Sequence, residues 1–295
     1  MHAHEHGRRL DTDRRALGGA LSLVLAFAGV EVVGGIAAGS LALIADAGHM
    51  VTDAGALALA LGAVWLAGRP SSPQRSFGWR RAEVLAALAN GAGLVALAIW
   101  IFVEAGRRLS DPPEVRGGWV LAIGLAGLAV NVAAARVLHR AGSDSLNVRA
   151  ALRHVLADLL SSFGVIAAAV VVLATGWERA DALVSLGIGV LVLGSSVVVL
   201  RESVAILLEA TPDGMSAEEV GAALAAHAGV VEVHDLHIWT ITSGFPALSA
   251  HVLVEAGADC HRIRLELDAL LRERFGLDHT TLQVEHRPGL VTLAR

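Results

Sequence analysis

Over the first two thirds of the chain the apolar residues neither alternate nor recur at amphipathic spacing; they run on, broken only by single polar positions. Six runs stand out, at about 16–38, 41–67, 82–106, 117–138, 150–175 and 180–208. A bilayer core takes about 20 apolar residues per spanning helix, so each run predicts a transmembrane helix. The start, MHAHEHGRRLDTDRR, is polar. The first run is too long for the core of a cleavable signal and lacks a small-residue cleavage site, so helix one is expected to stay in the mature protein.

Past residue 208 the pattern changes. TPDGMS supplies turn residues and a helix-capping Ser216, AEEVGAALAAH reads as a helix, and VVEVHDLHIWTI as a strand. FPALSAHVLVEA reads as a second strand paired to the first through the SGFP turn, DCHRIRLELDALLRERF as an amphipathic helix and TTLQVEH as a third strand. The expected fold is an α-helical membrane protein of six transmembrane helices followed by a small α+β domain, order α-β-β-α-β, with its helices on one sheet face. Its divisions are a polar His-containing tail at 1–15, the helical domain at 16–208 and the α+β domain at 209–295. A domain of roughly 85 residues has a modest core, which favours docking against a second copy.

Composition agrees with a membrane chain: 295 residues, 55% hydrophobic, at a mean hydropathy of +0.61. A net charge of -5, with no basic stripe among aromatics, argues against a nucleic-acid partner. The lone Cys260 excludes an intramolecular disulfide and suits a tail on the reducing side of a membrane. There is no lysine, so orientation rests on arginine. With the N-terminus inside, the cytoplasmic side receives Arg8, Arg9, Arg14, Arg15, Arg69, Arg75, Arg80, Arg81, Arg136, Arg140, Arg149 and Arg153. The far side receives Arg107, Arg108, Arg116 and Arg179. Both termini are therefore expected in the cytoplasm.

Against this background two short stretches are out of place. GHMVTD puts His49 and Asp53 four residues apart in helix two, and RHVLAD repeats the spacing with His154 and Asp158 in helix five. Positions i and i+4 share a helix face, so each pair presents an imidazole and a carboxylate in one direction. Two such faces can complete a tetrahedral site, and that donor set suits zinc or cobalt better than a soft Cu(I) site. Ionisable groups in a bilayer cost at least ~2.5 to 3.5 kcal/mol each at a helix centre, and a divalent cation would offset that. Counted from the ends of the apolar runs, Asp53 and Asp158 differ in depth by roughly 8 Å. The other reading of each pair is a self-satisfied ion pair, or a hydrogen-bonded core histidine.

Asp46 falls on the stripe of His49 and Asp53 and is either a supporting partner or part of a water path. Glu31, Asn90 and Asn131 do the same or hold helices together, while Gly34, Gly35 and Gly39 read as close-packing positions.

At these residues the sequence strongly resembles the cation diffusion facilitator family of zinc exporters, across nearly the whole chain. The resemblance is carried by EVVGGIAAGSLALIADAGHMVTD, RHVLAD, HDLHIWTITSG and TLQVE. It implies six transmembrane helices, a cytoplasmic metallochaperone-like (ferredoxin-like) domain and a homodimer that exchanges divalent metal for protons. By position, His49, Asp53, His154 and Asp158 look like the transport site, in the two-His, two-Asp form of zinc-preferring members. His234, His251 and Glu285 match positions that bind regulatory zinc in some relatives. The short polar AGSDSLN replaces the His-rich loop of more elaborate members, which puts a loop-based metal buffer in doubt.

Read from the residues alone, the tail site is thinner. His234 and His251 lie on strands that could pair, His237 has the opposite parity and should face away, and His279 shares the parity of Glu285 as an alternative ligand. The other reading is a set of surface histidines. His261, beside Cys260, stays unassigned. His2, His4 and His6 either capture metal loosely or belong to a solvated end. Two rival classes remain: a membrane metallohydrolase, disfavoured because HExxH is absent and four protein ligands leave no open position for water, and a metal sensor acting through its tail.

Overall fold

The computed structural model describes residues 22–140 and 146–286. The chain divides into two units, one of Met1–Leu59 and Ala89–Val199, the other of Ala60–Leu88 and Leu200–Arg295. The helices are α1 (Ser22–Ala38), α2 (Leu41–Ala67), α3 (Ala82–Ser110), α4 (Gly117–Arg140), α5 (Leu146–Thr175) and α6 (Arg179–Leu207). Among the described residues five are long and apolar enough to cross a membrane, and α1 is the described part of the first apolar run.

The first unit packs Leu43, Leu94, Ile101, Val120, Val165 and Ile188 into one core. Outward positions such as Val33, Leu160 and Val190 remain apolar and exposed, as lipid contact requires. Small residues bring the helices close: a Cβ at Gly34 would collide with Ile123 of α4. Gly39, between α1 and α2, has φ +71° and sits where a Cβ would lie 2.8 Å from the Glu114 carbonyl oxygen. Glycine meets both demands, backbone and space.

The second unit carries α7 (Ala217–Ala225), β1 (Val230–Thr242), β2 (Phe245–Val254), α8 (Cys260–Phe275) and β3 (His279–His286). Ser216 caps α7 by accepting from the Glu219 amide, and Asp259 caps α8 by accepting from the Arg262 amide. β1 and β2 are antiparallel, and β3 joins β2 in parallel. One sheet face buries Ile238, Leu248 and Val252 against Val220 and Leu224 of α7 and Ile263, Leu267 and Leu271 of α8. The other face carries the histidines.

Candidate metal centre

In α2 the i,i+4 geometry places His49 Nε2 3.4 Å from Asp53 Oδ2. Their side chains are 19% and 23% exposed. One turn earlier, Asp46 is buried and accepts a 2.5 Å hydrogen bond from Ser161 Oγ of α5. Asp158 lies three residues before Ser161 and is 2% exposed. Glu31 of α1, buried, interacts electrostatically with both Asp46 and Asp158, so α1, α2 and α5 direct carboxylates into one region. Asn131 Nδ2 of α4 donates to Ser162 Oγ at 3.3 Å, which ties the fourth helix to the same face of α5.

His154 falls within α5, but its side chain lies outside the described residues. Among the described residues no group of three or more His, Cys, Asp or Glu side chains is drawn together closely enough to hold a metal ion. Because α5 begins at Leu146, Asp158 lies twelve residues from its start, and Asp53 lies fourteen from the end of α2. The difference corresponds to about 3 Å at 1.5 Å per residue.

Sequence reasoning missed Asp181. It is buried at the start of α6 and accepts from Ser40 Oγ at 2.5 Å and from the Leu41 amide at 2.6 Å. A carboxylate from another helix thus satisfies the first donors of α2, the helix that carries the His-Asp pair. An acidic residue inside an apolar run was the available signal.

In the tail, His234 and His251 are direct partners across β1 and β2, with ring centroids 5.3 Å apart. His251 Nδ1 lies 3.9 Å from Glu285 Oε1, and His234 Nδ1 lies 3.6 Å from Glu232 Oε1. The histidines and Glu285 therefore share one half-exposed face. Two expectations need correcting. A bulge between His234 and His237, with Asp235 at φ 48°, resets the alternation. His237 pairs with Ser249 while His234 pairs with His251, so both histidines belong to the same face. His279 is no alternative ligand: it packs between Phe77 and Phe245, at 5.7 and 5.3 Å. Six strand positions, about 20 Å, separate it from Glu285. Cys260 Sγ lies 3.6 Å from His286 Nε2, and His286 Nε2 lies 3.0 Å from the Ala258 carbonyl oxygen. His2, His4 and His6 lie outside the described residues.

Comparison with known proteins supplies what geometry alone does not. The family model for the cation efflux transmembrane domain matches residues 19–208, and that for the cation efflux protein cytoplasmic domain matches 212–287. The chain belongs to the cation efflux family. Its apolar helices make it a multi-pass membrane protein, and the family is one of transporters, not enzymes.

The metal cation efflux system protein CzcD of Cupriavidus metallidurans is 40% identical over 97% of this chain and 90% of its own length. The zinc transporter ZitB of Escherichia coli is 39% identical over 97% and 93%, respectively. The cadmium, cobalt and zinc/H(+)-K(+) antiporter of Bacillus subtilis is 36% identical over 87% and 84%. A solved metal-bound C-terminal domain of the CzcD transporter from Cupriavidus metallidurans is 36% identical, covering 24% of this chain and 99% of its own, at a TM-score of 0.23.

Proposed function

We propose that this cation efflux protein exports zinc, or a similar divalent transition-metal cation, from the cytoplasm in exchange for protons. The transport site is assigned to His49, Asp53, His154 and Asp158, on α2 and α5. The observation that carries it is the His49–Asp53 pair at 3.4 Å inside an apolar helix, with buried Asp158 on α5. Relatives named for zinc, cadmium and cobalt transport support the substrate class, and one named as an antiporter supports exchange.

Exporting a doubly charged ion against ~100 mV, inside negative, costs ~4.6 kcal/mol, and each entering proton returns ~2.3 kcal/mol plus any pH gradient. The ligands themselves couple the two fluxes. Imidazole must be neutral and carboxylate ionised to hold the metal. An ordinary imidazole titrates near neutrality, so protonation from the acidic side expels the ion and deprotonation inside readmits it. Alternating access moves α2 and α5 with their ligands. Both termini are cytoplasmic in this reading, consistent with the cytoplasmic-domain match to the tail. The protein works as a homodimer, and His234, His251 and Glu285 take regulatory zinc.

Asp158→Ala in proteoliposomes loaded with a zinc dye and driven by a pH step should abolish flux. Undiminished flux rejects the assigned site.

A further inference from the structure

The unit that holds the sheet also contains the last turns of α2, the first turns of α3 and the end of α6. Within it lies a cleft of about 840 Å³ that the metal sites do not use. Its walls come from several parts of the chain, Glu209 and Thr211 after α6 and Ala217 of α7 among them. Phe77, Arg80 and Arg81 belong to the segment before α3, while His237, Trp239 and Ser249 belong to the exposed face of β1 and β2.

The charges are unbalanced. Two guanidinium groups and an imidazole meet one carboxylate, Glu209, which pairs with Arg81 at 3.2 Å. That pair is solvent-exposed, at 41% and 62%, so it is weak and yields readily to a better acceptor. Arg80 stacks on Phe245, its guanidinium carbon 4.4 Å from the ring centroid. Stacking uses the face of a guanidinium, and its N–H edge suits a phosphate bidentately.

The position along the chain says which phosphate. Arg81 immediately precedes α3, and Glu209 follows the end of α6 by two residues, so the cleft opens where apolar spans stop. Nearby, Arg69 lies over Trp65 at 4.2 Å and Arg75 over Trp79 at 3.8 Å. Tryptophan near the end of a span, backed by arginine, is the composition of a headgroup layer. The bulge at His234 to His237 matters here too, because it turns His237 onto the cleft face.

We propose that this cleft binds the phosphate headgroup of an anionic phospholipid. Arg80 and His237 hold the phosphate, and Phe77 and Trp239 flank the glycerol end of the lipid. An occupied cleft joins the α2–α3 segment to the sheet, adding to the Thr242 Oγ1 to Glu83 Oε2 hydrogen bond of 2.8 Å. The inference rests on membrane placement and not on which metal is carried.

The test is native mass spectrometry of the purified full-length protein, titrated with phosphatidylglycerol or phosphatidylcholine. Phosphatidylglycerol should be retained preferentially. Arg80→Gln should weaken its retention about fivefold, the effect of one arginine at an anionic membrane surface. His237→Gln, at an exposed strand position, should act in the same direction and keeps the test usable if the arginine variant fails to fold. Millimolar inorganic phosphate should not displace the lipid. Equal retention of the two lipids, wild-type retention of phosphatidylglycerol by a folded variant, or displacement by inorganic phosphate would overturn the proposal.

Discussion

At the scale of single residues, the polar groups inside the helices divide into those facing the proposed ion path and those that hold helices in register. Asp181 is of the second kind, because its carboxylate takes the donors of Ser40, Leu41 and Ala42. Asp181→Ala leaves those buried donors unmet and should cost on the order of 3 kcal/mol, measured by unfolding in mixed micelles. Asp181→Asn should lose less. Glu31 Oε2 and Asn131 Oδ1 are buried without a hydrogen-bond partner among the described residues. Such atoms are rare in folded proteins. Gly39→Ala places a Cβ against the Glu114 carbonyl at positive φ, and should lower the melting temperature of the whole transporter.

Among the elements, α5 and β1 carry the most functional information. α5 begins at Leu146, before the apolar run that announced it, because Leu146 and Arg149 are good helix formers although Arg149 is a poor membrane residue. In β1 one bulge decides where two histidines point, and sequence alternation cannot reveal it, since an inserted residue looks like any other. The tail helices depend on their caps. Ser216→Ala should destabilise α7 by about 1 kcal/mol, read as faster exchange of the Glu219 amide. The hydrogen bond from the Arg262 amide holds the Asp259 carboxyl below the ordinary carboxylate range. A depressed value means the cap's contribution is complete above that range and is lost as pH falls through the lowered value. Exchange at the Arg262 amide should therefore show more local opening in strong acid than at pH ~5, after correction for intrinsic exchange rates, and Asp259→Asn should reduce the contrast.

For the molecule as a whole, membership of the cation efflux family joins a transmembrane domain to a cytoplasmic domain whose exposed sheet face is proposed to take metal. Leu267 is fully buried in the tail core, and Leu267→Ala should cost about 2 to 5 kcal/mol. With the proposed homodimer, a destabilised tail should also shift the protein from twice 30.5 kDa toward one protomer in light scattering at low concentration. His251→Ala should instead leave the oligomer intact and weaken zinc binding to the tail, followed by calorimetry on the full chain.

Length and apolarity made the helical spans and the α-β-β-α-β tail legible, because both arise from interactions among near neighbours along the chain. The spacing of His49 to Asp53 was legible for the same reason: a helix repeats every 3.6 residues whatever surrounds it. Other features required distant parts of the chain to meet. Asp181 reaches α2 across 140 positions, Ser161 reaches Asp46 across 115, and His279 is claimed by Phe77 and Phe245 rather than by a metal. Local periodicity says which way a side chain leaves its own backbone. Only packing between elements sets what it finds there.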